Sequence, residues 1–146
     1  MGLDMYLMGH HYHSAYVKDV PRPMLDDKYD IESMNVDLGY WRKHADLHGY
    51  IVNTFADGVD ECQKIELSKD DLDKIIMAIQ NDELEKDHEG FFFGNSKALG
   101  HYDEKEKNRA IALFQRAKTF LQEGAKMWKD SDLFMNPRHV TYRASW

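Results

Sequence analysis

The chain has 146 residues, 42% of them hydrophobic and 12% aromatic, which fits one domain over 1–146 with enough material for a real core. Its 19 Lys and Arg stand against 26 Asp and Glu, a net charge of −7 with neutral His, and this balance argues against general binding to a nucleic-acid backbone. One cysteine, Cys62, excludes an internal disulfide and a cysteine-rich zinc site and fits a reducing compartment.

Leu3, Met5 and Leu7 alternate with Asp4 and Tyr6, a period of two that predicts a strand. The opening carries an early acid and no basic residue, unlike a secretory signal. No apolar run approaches the roughly 18 residues of a membrane span. The expected location is the cytoplasm, the host cytoplasm if the chain is phage-encoded, with no membrane contact. His10-His11-Tyr12-His13 reads as a strand end exposing polar aromatics, with a metal-binding tract as the alternative. Pro21-Arg22-Pro23 and the acids Asp26, Asp27 and Asp30 make residues 17–33 an irregular surface insertion.

Met34, Val36 and Leu38 predict a second strand ending at Gly39. From Tyr40 the period changes: Trp41, Ala45, His48, Val52 and Phe55 recur at helical intervals, and Asp57-Gly58 stops the helix. Arg42 and Asp46 then stand four apart as a surface pair. Residues 62–67 alternate as a short strand. Ser68 caps a second helix whose buried stripe is Leu72, Ile75, Ile76 and Ile79. Gly90-Phe91-Phe92-Phe93-Gly94 reads as a short extended element between tight bends. A third helix starts near Tyr102 or Asp103 and presents Ala110, Leu113, Phe114, Ala117, Phe120, Leu121 and Trp128 as a broad apolar face. His139 to Trp146 is a terminal strand, placed beside the first. The predicted fold is α+β: a small, mainly antiparallel sheet with about three helices packed on one face.

Three constellations bear on chemistry. Tyr40-Trp41-Arg42-Lys43 at a helix start offers two cations and free backbone N–H groups to an anion, and two rings to a planar group. His44 and His48 share the four-residue spacing of helical zinc sites. The glutamate that should follow the first histidine is replaced by Ala45, and the simpler reading packs His48 in the core, so no metal is assigned and these two remain the candidates. Gly94 to Gly100 is not a phosphate-binding P-loop, because five residues separate the glycines and His101 takes the lysine position. Cys62 reads as a buried structural thiol. No Gly-x-Ser-x-Gly elbow or dinucleotide fingerprint occurs, the cofactor is unknown, and catalysis is left open with a leaning against it.

Several segments together carry a resemblance: Met1-Gly2-Leu3-Asp4-Met5-Tyr6-Leu7, Gly39-Tyr40-Trp41-Arg42-Lys43 with Leu47-His48, Asp60-Glu61-Cys62, Gly90 to Gly94, and Tyr142-Arg143-Ala144-Ser145-Trp146. In these the chain resembles a small family of uncharacterised proteins encoded by bacteriophages and prophage-carrying genomes. The resemblance implies a phage accessory role and no particular activity.

The expected site gathers Asp4, Tyr6, Tyr40, Trp41, Arg42, Lys43, His48, Phe92 and Tyr142 into one concavity. Its expected ligand is a small, anionic, planar, nucleotide-like molecule, bound for sequestration. Arg42 and Lys43 hold the anion, Tyr40 and Trp41 stack, and Asp4 or His48 orients. The alternatives are an inhibitor that binds a host protein, and a small metal-dependent hydrolase using His44, His48 and an acid.

Overall fold

The computed structural model describes residues 2–13, 23–84, 94–127 and 136–146. In chain order the elements are β1 (Asp4–Tyr12), β2 (Met24–Leu25), β3 (Tyr29–Asp30), β4 (Ser33–Arg42), α1 (Ala45–Phe55), β5 (Ile65–Leu67), α2 (Lys69–Gln80), α3 (Glu104–Lys126) and β6 (Arg138–Ser145). Four strands form an antiparallel sheet in the order β4-β1-β6-β5, so the first and last strands are neighbours at its centre. The fold is α+β. β2 and β3 form a separate two-stranded ribbon. Residues 24–30 are exposed as expected for an insertion, but they are paired rather than irregular, and Ser33 already belongs to β4.

The alternation read at Leu3, Met5 and Leu7 runs on through β1 and gives the sheet two different faces. Leu3, Met5, Leu7, Trp41, Val140, Tyr142 and Ala144 point to the covered face. There they meet Leu47 and Ile51 of α1, Ile75 and Ile79 of α2, and Phe114 and Ala117 of α3. Trp41 stacks on Phe114 with ring centroids 5.0 Å apart. Gly9 lies on this face too, where a Cβ would come within 2.9 Å of the Phe120 ring. Any larger residue there would have to displace the Phe120 ring and the Val36 side chain.

The largest departure from expectation lies at residues 39–44. Gly39 does not end β4, and Tyr40, Trp41 and Arg42 are its last three residues rather than the start of a helix. The reason is a β-bulge: Leu7 pairs with Gly39 and Met8 with Asp37, which leaves Leu38 as the extra residue. Leu38 and Gly39 then both face the core. Lys43 turns the chain with φ of +56°, and His44 caps α1 by accepting a hydrogen bond from the backbone N–H of Leu47. Arg42 therefore cannot pair with Asp46 along a helix. Asp46 is buried and instead accepts a hydrogen bond from Tyr102.

The other boundaries moved less. The strand expected at 62–67 shortens to Ile65–Leu67. Ser68 caps α2 as expected, in a reciprocal box with Asp71. α3 begins after Asp103. The outer edge of β4 is covered by α3: Arg109 donates to the carbonyl of Tyr40 at 2.7 Å and Arg116 to that of Asp37 at 3.3 Å. Those bonds occupy edge acceptors that otherwise invite another strand. Phe91, Phe92, Phe93 and Trp128 lie outside the described residues.

Candidate ligand-binding site

The expected site residues divide between the two faces of the sheet. Asp4, Tyr6, Tyr40 and Arg42 share the face that none of the described helices covers, because Asp4 pairs with Arg42 and Tyr6 with Tyr40 in register. The Tyr6 and Tyr40 rings lie 5.5 Å apart, tilted by 48°, and both are exposed, at 39% and 38%. Tyr40 donates a hydrogen bond to the Asp4 carboxylate. That bond, more than the slight burial or the carboxylate's charge, raises the phenol above its ordinary range. Arg42 Nε stands 4.0 Å from the same carboxylate. On the other side of Tyr6, in register on β6, is Arg143, exposed and without an ion-pair partner among the described residues.

Lys43, just past the end of β4, leads off this face. Arg42, Lys43, Leu99 and His101 line an open cavity of about 290 Å³. His101 is held there by a hydrogen bond to the Arg42 carbonyl at 3.0 Å. Its imidazole pKa is lowered, chiefly by burial. His44 stacks flat on it, centroids 4.2 Å apart. The His44 Nδ1 accepts from Ser96 Oγ at 3.1 Å, and Ser96 in turn accepts from the backbone N–H of Asp46 at 2.9 Å. Burial lowers the His44 pKa to about 3, with the neighbouring His101 adding to the effect. His44 is thus a neutral helix cap stacked behind His101.

Trp41, His48 and Tyr142 do not join the site. All three are on the covered face, at 2%, 3% and 0% exposure. Trp41 is packed on Phe114 and cannot stack on a ligand. Tyr142 O–H donates to His48 Nδ1 at 2.6 Å, and His48 Nε2–H donates to Asp60 at 2.9 Å. Trp146 Nε1 donates to the other Asp60 oxygen at 3.2 Å. Burial raises the Tyr142 pKa well above its ordinary range, so the hydroxyl stays protonated as a donor. This Tyr-His-Asp line has the order of a proton relay, but its tyrosine meets no solvent. It ties β6 to α1 and to the loop that follows α1.

The histidine pair at 44 and 48 does not form a metal site. Both ring nitrogens of His48 are hydrogen-bonded, and His44 is turned toward Ser96. Among the described residues no three His, Cys, Asp or Glu side chains come together as metal ligands. Cys62 is half-buried at a positive φ of 56° rather than buried in the core. Sequence reasoning missed Ser96, His101, Asp60 and Arg143. Only Arg143 carried a readable signal, since it follows a core position by one residue in a strand. No helix among the described residues is long and apolar enough to cross a membrane. No protein-family model matches this chain, and no curated protein or solved structure matches it either.

Proposed function

We propose that the protein binds a small, planar, anionic ligand of the nucleotide class on the uncovered face of its sheet. The observation that carries this reading is the exposed Tyr6–Tyr40 ring pair leading, through Arg42, to a cavity walled by Lys43 and His101. An aromatic surface stacks any flat heterocycle, by about 1–3 kcal/mol per base. Arginine and lysine side chains are the ordinary protein ligands for phosphate. The roles differ from those expected: Tyr6 replaces Trp41 as the second ring, His101 joins Arg42 and Lys43 beside the anion, and His48, buried on the other face, no longer orients the ligand. The sequence resemblance supplies only a setting, a phage accessory protein in the host cytoplasm, and sequestering such a ligand is the role proposed for it there.

Calorimetric titration against nucleoside mono-, di- and triphosphates tests the reading. Binding is expected, and Arg42→Ala or Tyr40→Ala should weaken it by about tenfold, the loss of one charge-assisted contact or one stacked ring. No heat from any member, with the protein folded, rejects it.

A further inference from the structure

The uncovered face carries a second group of rings at the other end of β1. We propose that this group is a second base-stacking subsite, and that the ligand is a short single-stranded oligonucleotide whose bases reach both platforms. This rests on the reading above and names the ligand class more narrowly.

The second platform is a column of three rings. His139 of β6 lies between Tyr12 and His10 of β1, with centroids 5.4 Å from Tyr12 and 4.6 Å from His10, and interplanar angles of 19° and 24°. The column is held in place from below. His10 Nδ1 meets Asn35 Oδ1 of β4 at 2.7 Å, and His10 Nε2 meets Thr141 Oγ1 of β6 at 2.8 Å. Both ring nitrogens are engaged, so the imidazole has one orientation and no rotamer freedom to lose on binding. Tyr12 closes the column and is exposed at 51%, which leaves its outer face for a base.

Spacing decides the ligand's length. Tyr12, whose outer face is the free one, stands six residues along β1 from Tyr6, a rise of about 20 Å at 3.3 Å per residue. One base can occupy one platform or the other, but a ligand that uses both must have bases joined by a backbone. Arg143 pairs with Tyr6 in register and has no ion-pair partner among the described residues. It stands where such a backbone would bring a phosphate. Composition decides against a protein partner: among the described residues, the stretch between the two platforms carries Met8 of β1, Thr141 of β6, Asp37 of β4 and Glu66 of β5. There is no aliphatic patch of the kind that forms the core of a protein interface. Asp4, Asp37 and Glu66 also face this side, through their pairing with Arg42, Met8 and Thr141. They oppose attraction of any phosphate backbone, so stacking is the main attraction, and a duplex, whose bases are already stacked on one another, gains little here.

The test uses the full chain, titrated by fluorescence anisotropy or calorimetry with thymidine monophosphate, a dinucleotide, longer single-stranded oligothymidylates and a short duplex. Affinity should rise by tenfold or more once the strand spans both platforms, and the duplex should bind more weakly than the single strand. Tyr12→Ala and His139→Ala should each lower oligothymidylate affinity by about tenfold and leave the monophosphate unchanged. Tyr12 is exposed at the strand end, so its variant folds even if the histidine variant does not. Equal affinity at every length, with the monophosphate bound, overturns the second subsite and leaves the first standing. Silence toward every probe overturns both. Self-association abolished by Tyr12→Ala identifies a second copy as the occupant and overturns the oligonucleotide.

Discussion

Neighbouring residues of the same strand meet opposite fates on the two faces of this sheet. Met5 is sealed against the helices while Tyr6 is exposed. Trp41 stacks in the core and Tyr40 stands in water. Tyr142 is fully buried and Arg143 is exposed. The covered face uses its aromatics for packing and for one buried hydrogen-bond line. The open face keeps its aromatics in pairs and columns that are ordered but not enclosed. Side-chain chemistry alone does not separate these roles, because tyrosine, histidine and tryptophan serve in both. Register separates them, and so the two faces should respond differently to the same kind of substitution.

The largest difference is expected at adjacent positions of β4. Trp41→Ala removes a ring that is packed on Phe114 and should cost about 3–5 kcal/mol in urea unfolding. Tyr40→Ala, one residue earlier, should cost no more than about 1 kcal/mol, the worth of one exposed cross-strand pair. Equal costs would mean that the faces are not distinct. Trp41→Phe should cost less than its lost area implies, since the indole N–H is buried without a hydrogen-bond partner among the described residues.

Next comes acid. His44 is neutral in the folded chain, with its pKa lowered by burial and then by His101 to about 3. The unfolded chain binds a proton on this group below about 6.5, and the folded chain refuses it until pH nears 3. Stability therefore falls as pH drops through that window, by about 1.4 kcal/mol per pH unit, and is unaffected above it. His11, His101 and His139 are lowered as well, each mainly by burial, and add in the same direction. His44→Asn keeps a capping acceptor for Leu47 but removes the titration. Its unfolding free energy between pH 6.5 and pH 4 should be flatter than the parent's by about 3 kcal/mol. An unchanged slope would assign the acid sensitivity to the other histidines.

A smaller loss tests the buried line on the covered face. Tyr142→Phe keeps the ring but strands the Nδ1 of His48, and should cost about 1–3 kcal/mol by thermal or denaturant unfolding. Arg143→Ala, the next residue on the opposite face, should stay within about 0.5 kcal/mol.

The same registers explain how far the residues could be read without coordinates. The periods of strands and helices behind the α+β architecture and the Ser68 cap of α2 are local patterns, and these were legible; the adjacency of the terminal strands was expected too, although no local pattern encodes it. The β4 bulge was not. Leu38 and Gly39 both face inward, so the apolar phase slips between Leu38 and Trp41. That slip imitates a change from strand to helix period. The error at Tyr40 then carried into the site: with 40–43 on a helix, Trp41 and Lys43 seemed to share a surface with Tyr40. Ser96 and His101 stayed hidden for another reason. They reach His44 and Arg42 from more than 50 residues away in sequence, through a turn whose position no local pattern encodes.

The smallest expected effect isolates the open face itself. The Tyr40 phenol is raised first by its hydrogen bond to Asp4 and also by the charge of that carboxylate, while Arg42 pulls the other way. Asp4→Asn removes the charge, so the phenol should ionise at lower pH in an ultraviolet titration. Arg42→Ala should move it the opposite way, upward, because the one nearby cation that favours the phenolate is gone. Neither change touches the covered face, and unfolding free energy near neutral pH should stay within about 0.5 kcal/mol of the parent in both. Opposite shifts at constant stability would show that Asp4, Tyr40 and Arg42 act on one another across the strands as a group held in water. An unmoved phenol in Arg42→Ala would mean that Arg42 does not sense it, and the guanidinium would then be too far from the rings to serve a ligand stacked on them.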